Sequence, residues 1–276
     1  MARYLTVGNY YALAGLLIVP ILIPNTGARA ASEGPQITAI VKEARLSVKD
    51  GDSRTASVGD RVSERNEIVT GADSRVELSF HKNAVTRLGA NAALLLKSKN
   101  VIELSRGALL LHFPGGTKAN VQAGAVSVVV GGATAVLEYH PTVFKLLVLE
   151  GTARLYRPAR LGDSVLVHPG EMIFGNATAP LTDPVNFDIG RFVKTCPLVQ
   201  DFSPLSNERL ITAASERQQK AKSKNTLIDT NLVIFRGSSL VSVVDPTNAK
   251  TPKPVSATPD SSSSQIPVRP SEEVRP

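Results

Sequence analysis

The 276-residue sequence holds one cysteine, no tryptophan and only 5% aromatic residues. A lone cysteine, Cys196, cannot close an internal disulfide, so the domain must stand on packing without covalent staples. With no tryptophan and few other rings, the chain lacks the stacking surfaces that single-strand nucleic-acid binders use. The central region shows no long helical period, which argues against a parallel α/β sheet and the Rossmann and P-loop enzymes built on one. Gly-x-Ser-x-Gly, His-Glu-x-x-His, a Gly-rich phosphate loop before a helix and Cys-x-x-Cys are also missing.

The residues that could carry chemistry are scattered. His81, His112, His140 and His168 each sit alone on a strand or at a turn, without the local pairing that zinc sites use. They read as strand-end histidines with one edge in water. "SFHK" (Ser79 to Lys82) has the Ser-x-x-Lys spacing of penicillin-recognising enzymes but crosses a strand end, where those enzymes start a helix. Glu77, Glu103, Glu138 and Glu150 fit the outward positions of alternating strands; two distant carboxylates converging in a cleft would be needed for a hydrolase of envelope polymers, which stays as an alternative. The sequence therefore offers no catalytic, cofactor-binding or metal-binding residue, and no cofactor is expected.

What the chain does have is aliphatic. Hydrophobic residues make up 42% and charged residues 20%, enough for a packed core. The net charge of +7 is gathered largely near the two ends, in runs such as Arg217 to Lys224, and reads as a solvated helix face and basic tail; no nucleic-acid partner is expected. The first thirty residues look like an export signal. Arg3 supplies the positive charge, Tyr11 to Ile23 the apolar run, and Ala28, Ala30 and Ala31 the small residues around the cleavage point, with cleavage after Ala30. Pro20 interrupts the run, which is short for a membrane span, so contact with a membrane is expected only through this segment if it stays uncleaved.

From Ile37 to Phe174 strand follows strand. In "RVELSF", Val76, Leu78 and Phe80 alternate with Glu77 and Ser79, the period of a sheet with one face buried and one wet. "VIELSRGALLLHF" repeats the rhythm with a break at Arg106-Gly107, and "VSVVVGGATAVLEY" carries the two-residue hairpin signal Gly131-Gly132. Further breaks fall at Glu150-Gly151 and Pro169-Gly170. Turns spaced this closely predict an all-β fold, an antiparallel sandwich or stacked β layers, over residues 31–180. Residues 181–245 read as an extension: one amphipathic helix over Ser203 to Lys224 with Pro204 at its first turn and Leu205, Ile211 and Ala214 inward, then a strand pair at Thr226 to Phe235 and Ser238 to Asp245. Residues 246–276, rich in Pro and Ser, read as a disordered tail.

Read this way, "VTGADSRVELSFHKNAVTRLGANA" (Val69 to Ala92) is turn, strand, turn and strand, with its polar residues on the wet face or in reversals. The succession "VGDRV" (Val58 to Val62), "IVTGADSRVELSF" (Ile68 to Phe80), "TRLGANA" (Thr86 to Ala92), "IELSRGALLL" (Ile102 to Leu111), "VVVGGATA" (Val128 to Ala135), "VLEGTARL" (Val148 to Leu155) and "VHPGEM" (Val167 to Met172) resembles the FecR-like domain of bacterial envelope proteins. The resemblance implies an extracytoplasmic all-β module, usually part of a membrane-spanning regulator that senses an outer-membrane iron-siderophore receptor and controls a sigma factor. It implies no catalytic residues. Only about ten residues precede the apolar segment here, where those regulators carry a cytoplasmic helical domain, so the expectation is an exported FecR-like module without the anti-sigma part.

The expected function is non-enzymatic binding of another cell-envelope component, protein or polysaccharide, in the periplasm or outside the cell. The contact surface is expected on the outward residues Glu77, Ser79 and Arg87 and on the helix Ser203 to Lys224. The alternative reading is a membrane-anchored accessory of extracytoplasmic signalling and iron-uptake regulation.

Overall fold

Among the described residues sixteen strands divide between two layers, most of them built on period-two apolar patterning. The structure, a computed structural model, describes residues 34–47, 51–176, 179–221, 235–236 and 239–240. The signal segment with Ala28, Ala30 and Ala31, most of the predicted strand pair and the tail 246–276 lie outside the described residues. One layer, sheet A, runs β1 (Gln36–Val41), β5 (Arg75–Ser79), β6 (Val85–Leu88), the second half of β8 (Val101–Phe113), β11 (Ala133–His140), β12 (Val143–Glu150), β15 (Glu171–Asn176) and β16 (Val185–Asn186). The other, sheet B, runs β3 (Ser53–Thr55), β2 (Ala44–Ser47), β4 (Glu67–Thr70), β7 (Ala93–Ser98), the first half of β8, β9 (Ala119–Ala123), β10 (Val126–Val130), β13 (Ala153–Tyr156) and β14 (Ser164–Val167). Their inner faces share one aliphatic core that includes Leu46, Leu78, Leu104, Val128, Leu146 and Leu155. The all-β layered reading holds. One pairing departs from it: β8 and β9 run parallel, because β8 continues into sheet A before the chain returns to sheet B.

The turn signals mark corners between the layers more often than hairpins. At Gly131-Gly132 the chain leaves β10 in sheet B for β11 in sheet A, so the predicted hairpin there does not form. Glu150-Gly151 and Pro169-Gly170 likewise join strands of different sheets. The reason is local: a glycine with positive φ serves a corner as well as a hairpin, and only the distant pairing partner tells them apart. Arg106-Gly107 is a bend inside one continuous strand, β8, that carries it from sheet B to sheet A.

These corners lie against one another, which explains their small residues. Thr70 N–H donates to Ala92 O at 3.0 Å, Thr70 Oγ1 to Gly89 O at 2.6 Å, and Gly89 N–H to Ala108 O at 2.8 Å. A Cβ on Gly107, at φ +96°, would stand 2.3 Å from Ala92 Cβ; one on Gly151, at φ +72°, would stand 2.2 Å from Gly132 O.

Among its described residues the C-terminal part forms three helices, two of them unforeseen: α1 (Ile189–Thr195), α2 (Pro197–Gln200) and α3 (Glu208–Ala221). Asp188 caps α1 by accepting the Arg191 N–H at 3.0 Å. The predicted helix exists as α3 but starts at Glu208, with Pro204 in the preceding loop; Leu205, Ile211 and Ala214 are buried as expected. With Phe187, Ile189, Phe192, Cys196 and Leu198 they form a second core against Leu110, Val136, Leu147, Leu149 and Met172, which lie on the outer face of sheet A. That face is therefore covered. Of the predicted strand pair, Phe235–Arg236 and Ser239–Leu240 pair antiparallel.

Candidate functional site

The predicted contact residues meet at one edge of this cover. Glu77 on β5 and Arg87 on β6 stand directly opposite each other, with Ser79 opposite Val85 on the same face. Alternation places them outward as expected, but outward is not wet here. Arg87 is 1% exposed, because the α2–α3 connection closes over it, while Glu77 and Ser79 are half-buried. Arg87 is thus withdrawn from any contact surface.

Each of the three guanidinium nitrogens donates a hydrogen bond. Arg87 Nε donates to Glu77 Oε2 at 2.8 Å, Nη1 to Leu198 O at 3.0 Å and Nη2 to Ser203 O, while the Phe202 ring lies 5.0 Å from Cζ. Thr38 Oγ1 donates to the other Glu77 oxygen at 2.7 Å. Burial draws Arg87 below its ordinary pKa, and the Glu77 hydrogen bond and charge oppose that. One side chain of the sheet thereby holds two backbone carbonyls of the cover.

A second polar row runs beside it. His112, Thr134 and Glu150 are register neighbours across β8, β11 and β12. His112 is 2% exposed, against the expectation of a histidine with one edge in water. Its Nδ1 lies 2.9 Å from Thr134 Oγ1 and its Nε2 3.0 Å from Ser206 Oγ. Asn207 Nδ2 donates to Thr134 Oγ1 at 2.7 Å and to Glu150 Oε2 at 2.9 Å. Burial, then the charge of Arg87, lowers the His112 pKa. The Ser206–His112 spacing is that of a nucleophile and base, yet the orienting nitrogen faces a hydroxyl where a triad has a carboxylate. What the row does is join Ser206 and Asn207 of the cover to the sheet.

Below these rows Lys145 and Glu138 form a cross-strand ion pair, with Lys145 6% exposed. Burial works to raise Glu138, but His140 and Lys145 outweigh it and hold the carboxyl below its ordinary range. Burial pushes the Cys196 thiol up, which leaves it little thiolate at neutral pH. Between α1 and α3 a cleft of about 390 Å³ opens over Ile189, Val193, Val199, Phe202, Leu205 and Ile211. Among the described residues no three His, Cys, Asp or Glu side chains gather as metal ligands, and no helix is long and apolar enough to cross a membrane.

The outer face of sheet B is open by contrast. Lys97 pairs with Glu103 at 2.8 Å and donates to Gln122 at 3.0 Å, and Asn120 donates to the Tyr156 hydroxyl at 3.1 Å, all on solvent-facing or half-exposed side chains.

Sequence reasoning found α3 but missed α1, α2 and the packing of all three on sheet A, and hence the buried state of Arg87 and His112. A signal was present: Asp188 followed by Ile189, Phe192 and Val193 is an N-cap with apolar residues at helical spacing.

A family model described as "FecR protein" matches residues 66–154. This segment is a FecR-like domain. It runs from β4 into β13, so the helical cover lies outside the matched residues. Two crystal structures from Parabacteroides distasonis, each described as a "putative anti-sigma factor", are similar to the chain: one at 14% identity and TM-score 0.38 over 49% of this chain and 74% of that one, the other at 13% and 0.37 over 56% and 90%. No curated protein matches the chain in sequence.

Proposed function

We propose that this protein is an exported, non-enzymatic FecR-like module that binds another component of the cell envelope, a protein or a polysaccharide, in the periplasm or outside the cell. The observation that carries this reading is where its polar side chains are used. Arg87, Glu77, His112, Thr134 and Asn207 are consumed in locking the cover to sheet A, while sheet B keeps an open face and edge. A domain that commits its buried polar groups to its own architecture and leaves a β edge unpaired suits recognition by backbone pairing better than turnover. No cofactor and no nucleic-acid partner enter this reading. The test is photo-crosslinking of the chain in envelope fractions: a discrete adduct through sheet B supports it, and absence of any envelope adduct removes it.

The FecR match favours one second reading, a membrane-anchored accessory of extracytoplasmic signalling that works with a separate cytoplasmic partner. Retention of Met1 or Ala2 on a membrane-bound mature chain would support it.

A further inference from the structure

The four edges of the two layers, β1 and β16 in sheet A and β3 and β14 in sheet B, are not alike. The β1 edge is filled by residues 57–62: Ile37 N–H donates to Asp60 O at 2.8 Å, and Gly59 N–H and Val62 N–H to Ile37 O and Pro35 O. The β16 edge is two residues long. The β3 edge carries Arg54, ion-paired to Asp60 at 2.7 Å, and charge is a usual guard on an edge. β14, "SVLV", carries neither charge nor proline and pairs only with β13.

Its register fixes which backbone groups face out. Arg157 N–H donates to Asp163 O at 3.0 Å, so this opposed pair is a hydrogen-bonded one. Alternation then makes Leu155–Val165 and Ala153–Val167 the bonded pairs and turns the N–H and C=O of Leu166 away from β13. The ends of this edge are closed locally, since Ser164 N–H donates to Gly162 O and His168 N–H to Glu171 Oε2. One pair of outward groups, at Leu166, is left in the middle.

The flanking side chains define what fits there. Leu166 is 40% exposed and Leu161, at the tip of the β13–β14 loop, is fully exposed. The loop is held by buried Arg157, whose Nη2 donates to Asn176 O at 2.8 Å and whose Nε lies 3.5 Å from Asp163. Arg154, exposed on β13, reaches Ser164 Oγ at 3.4 Å, so its charge leans toward the open edge. A strand added beyond β14 would place one side chain opposite Leu166 and the side chain two positions away opposite Ser164, within reach of that guanidinium.

Resting on the reading of a binding module, we infer that the β14 edge takes an extended segment of a partner protein carrying an apolar residue and an acidic residue two positions apart. The apolar residue covers Leu166, the carboxylate meets Arg154, and the partner backbone bonds Leu166.

The test titrates the full isotope-labelled chain with a synthetic peptide bearing leucine and aspartate two positions apart in a threonine-valine background, against its aspartate-to-lysine counterpart. Amide shifts centred on Ser164 to Val167 are expected for the acidic peptide. Leu166→Pro removes the outward N–H together with the leucine side chain and should weaken binding at least about tenfold, the worth of one or two hydrogen bonds; Leu166→Lys is the second variant if Leu166→Pro does not fold. Arg154→Glu should reverse the preference toward the lysine peptide. No shifts, shifts centred elsewhere, or binding by both Leu166 variants as tight as wild type overturns the inference. Crosslinking in envelope fractions separates the two levels: an adduct formed equally by wild type and Leu166→Lys sinks this edge but not the binding reading, whereas no adduct at all sinks the binding reading.

Discussion

Replacing Arg87 by Met removes the buried side chain that ties the cover to sheet A. The change leaves the Glu77 carboxylate, whose side chain is 15% exposed, facing an apolar group, and strips donors from Leu198 O and Ser203 O. Breaking a buried ion pair by deleting one partner costs ~3–5 kcal/mol. Two features reduce that figure: Glu77 keeps its bond from Thr38, and the loop carbonyls can hydrate if the α2–α3 connection loosens. A loss of ~3 kcal/mol is therefore expected. The double variant Arg87→Met/Glu77→Leu leaves no stranded charge and should lose only ~1–2 kcal/mol, less than the single one. Urea unfolding followed by circular dichroism measures both, and hydrogen exchange should show α1–α3 opening before the sandwich strands. A single variant within ~0.5 kcal/mol of wild type, or a double variant no better than the single, would refute the role given to this pair.

Other outcomes follow from the same geometry. Gly151→Ala forces a Cβ against Gly132 O at positive φ and should cost ~3 kcal/mol in urea unfolding, whereas Gly162→Ala, at φ +85° with open space around it, should cost ~1 kcal/mol from backbone strain alone. His112 has a lowered folded-state pKa, so its neutral form is the one the fold prefers; its contribution is complete above the ordinary imidazole value near 6.5 and is lost as pH falls from there through the folded-state value. His112→Gln should flatten that part of the stability profile against pH. Cys196 is buried with a raised pKa, so a disulfide-exchange reagent should modify the native chain slowly and the Arg87→Met chain markedly faster.

The strands were legible because alternation is a local property: Val76, Leu78, Ile102, Leu104 and Leu111 all face the inner core that their spacing predicts. Corners were not, since Gly131-Gly132 and Gly151 satisfy the same φ requirement in a hairpin or in a passage between sheets. The wet face of sheet A was misjudged for a different reason. Alternation says which residues share a face but not what lies over it, and what covers Arg87 is the four-residue α2 with the loop that follows it. A hint lay in "VFKLLVLE" (Val143 to Glu150), whose apolar run breaks the alternation and is buried on both faces, the pattern of a strand with layers on either side. Bonds such as Arg87 to Ser203 join residues far apart in the chain, and no local pattern encodes them.

The central claim is an exported module acting in the envelope, and amino-terminal sequencing with intact mass of the protein from fractionated cells tests it most directly. A soluble chain beginning at Ala31 is the predicted result; a membrane-bound chain that keeps its first thirty residues would contradict it.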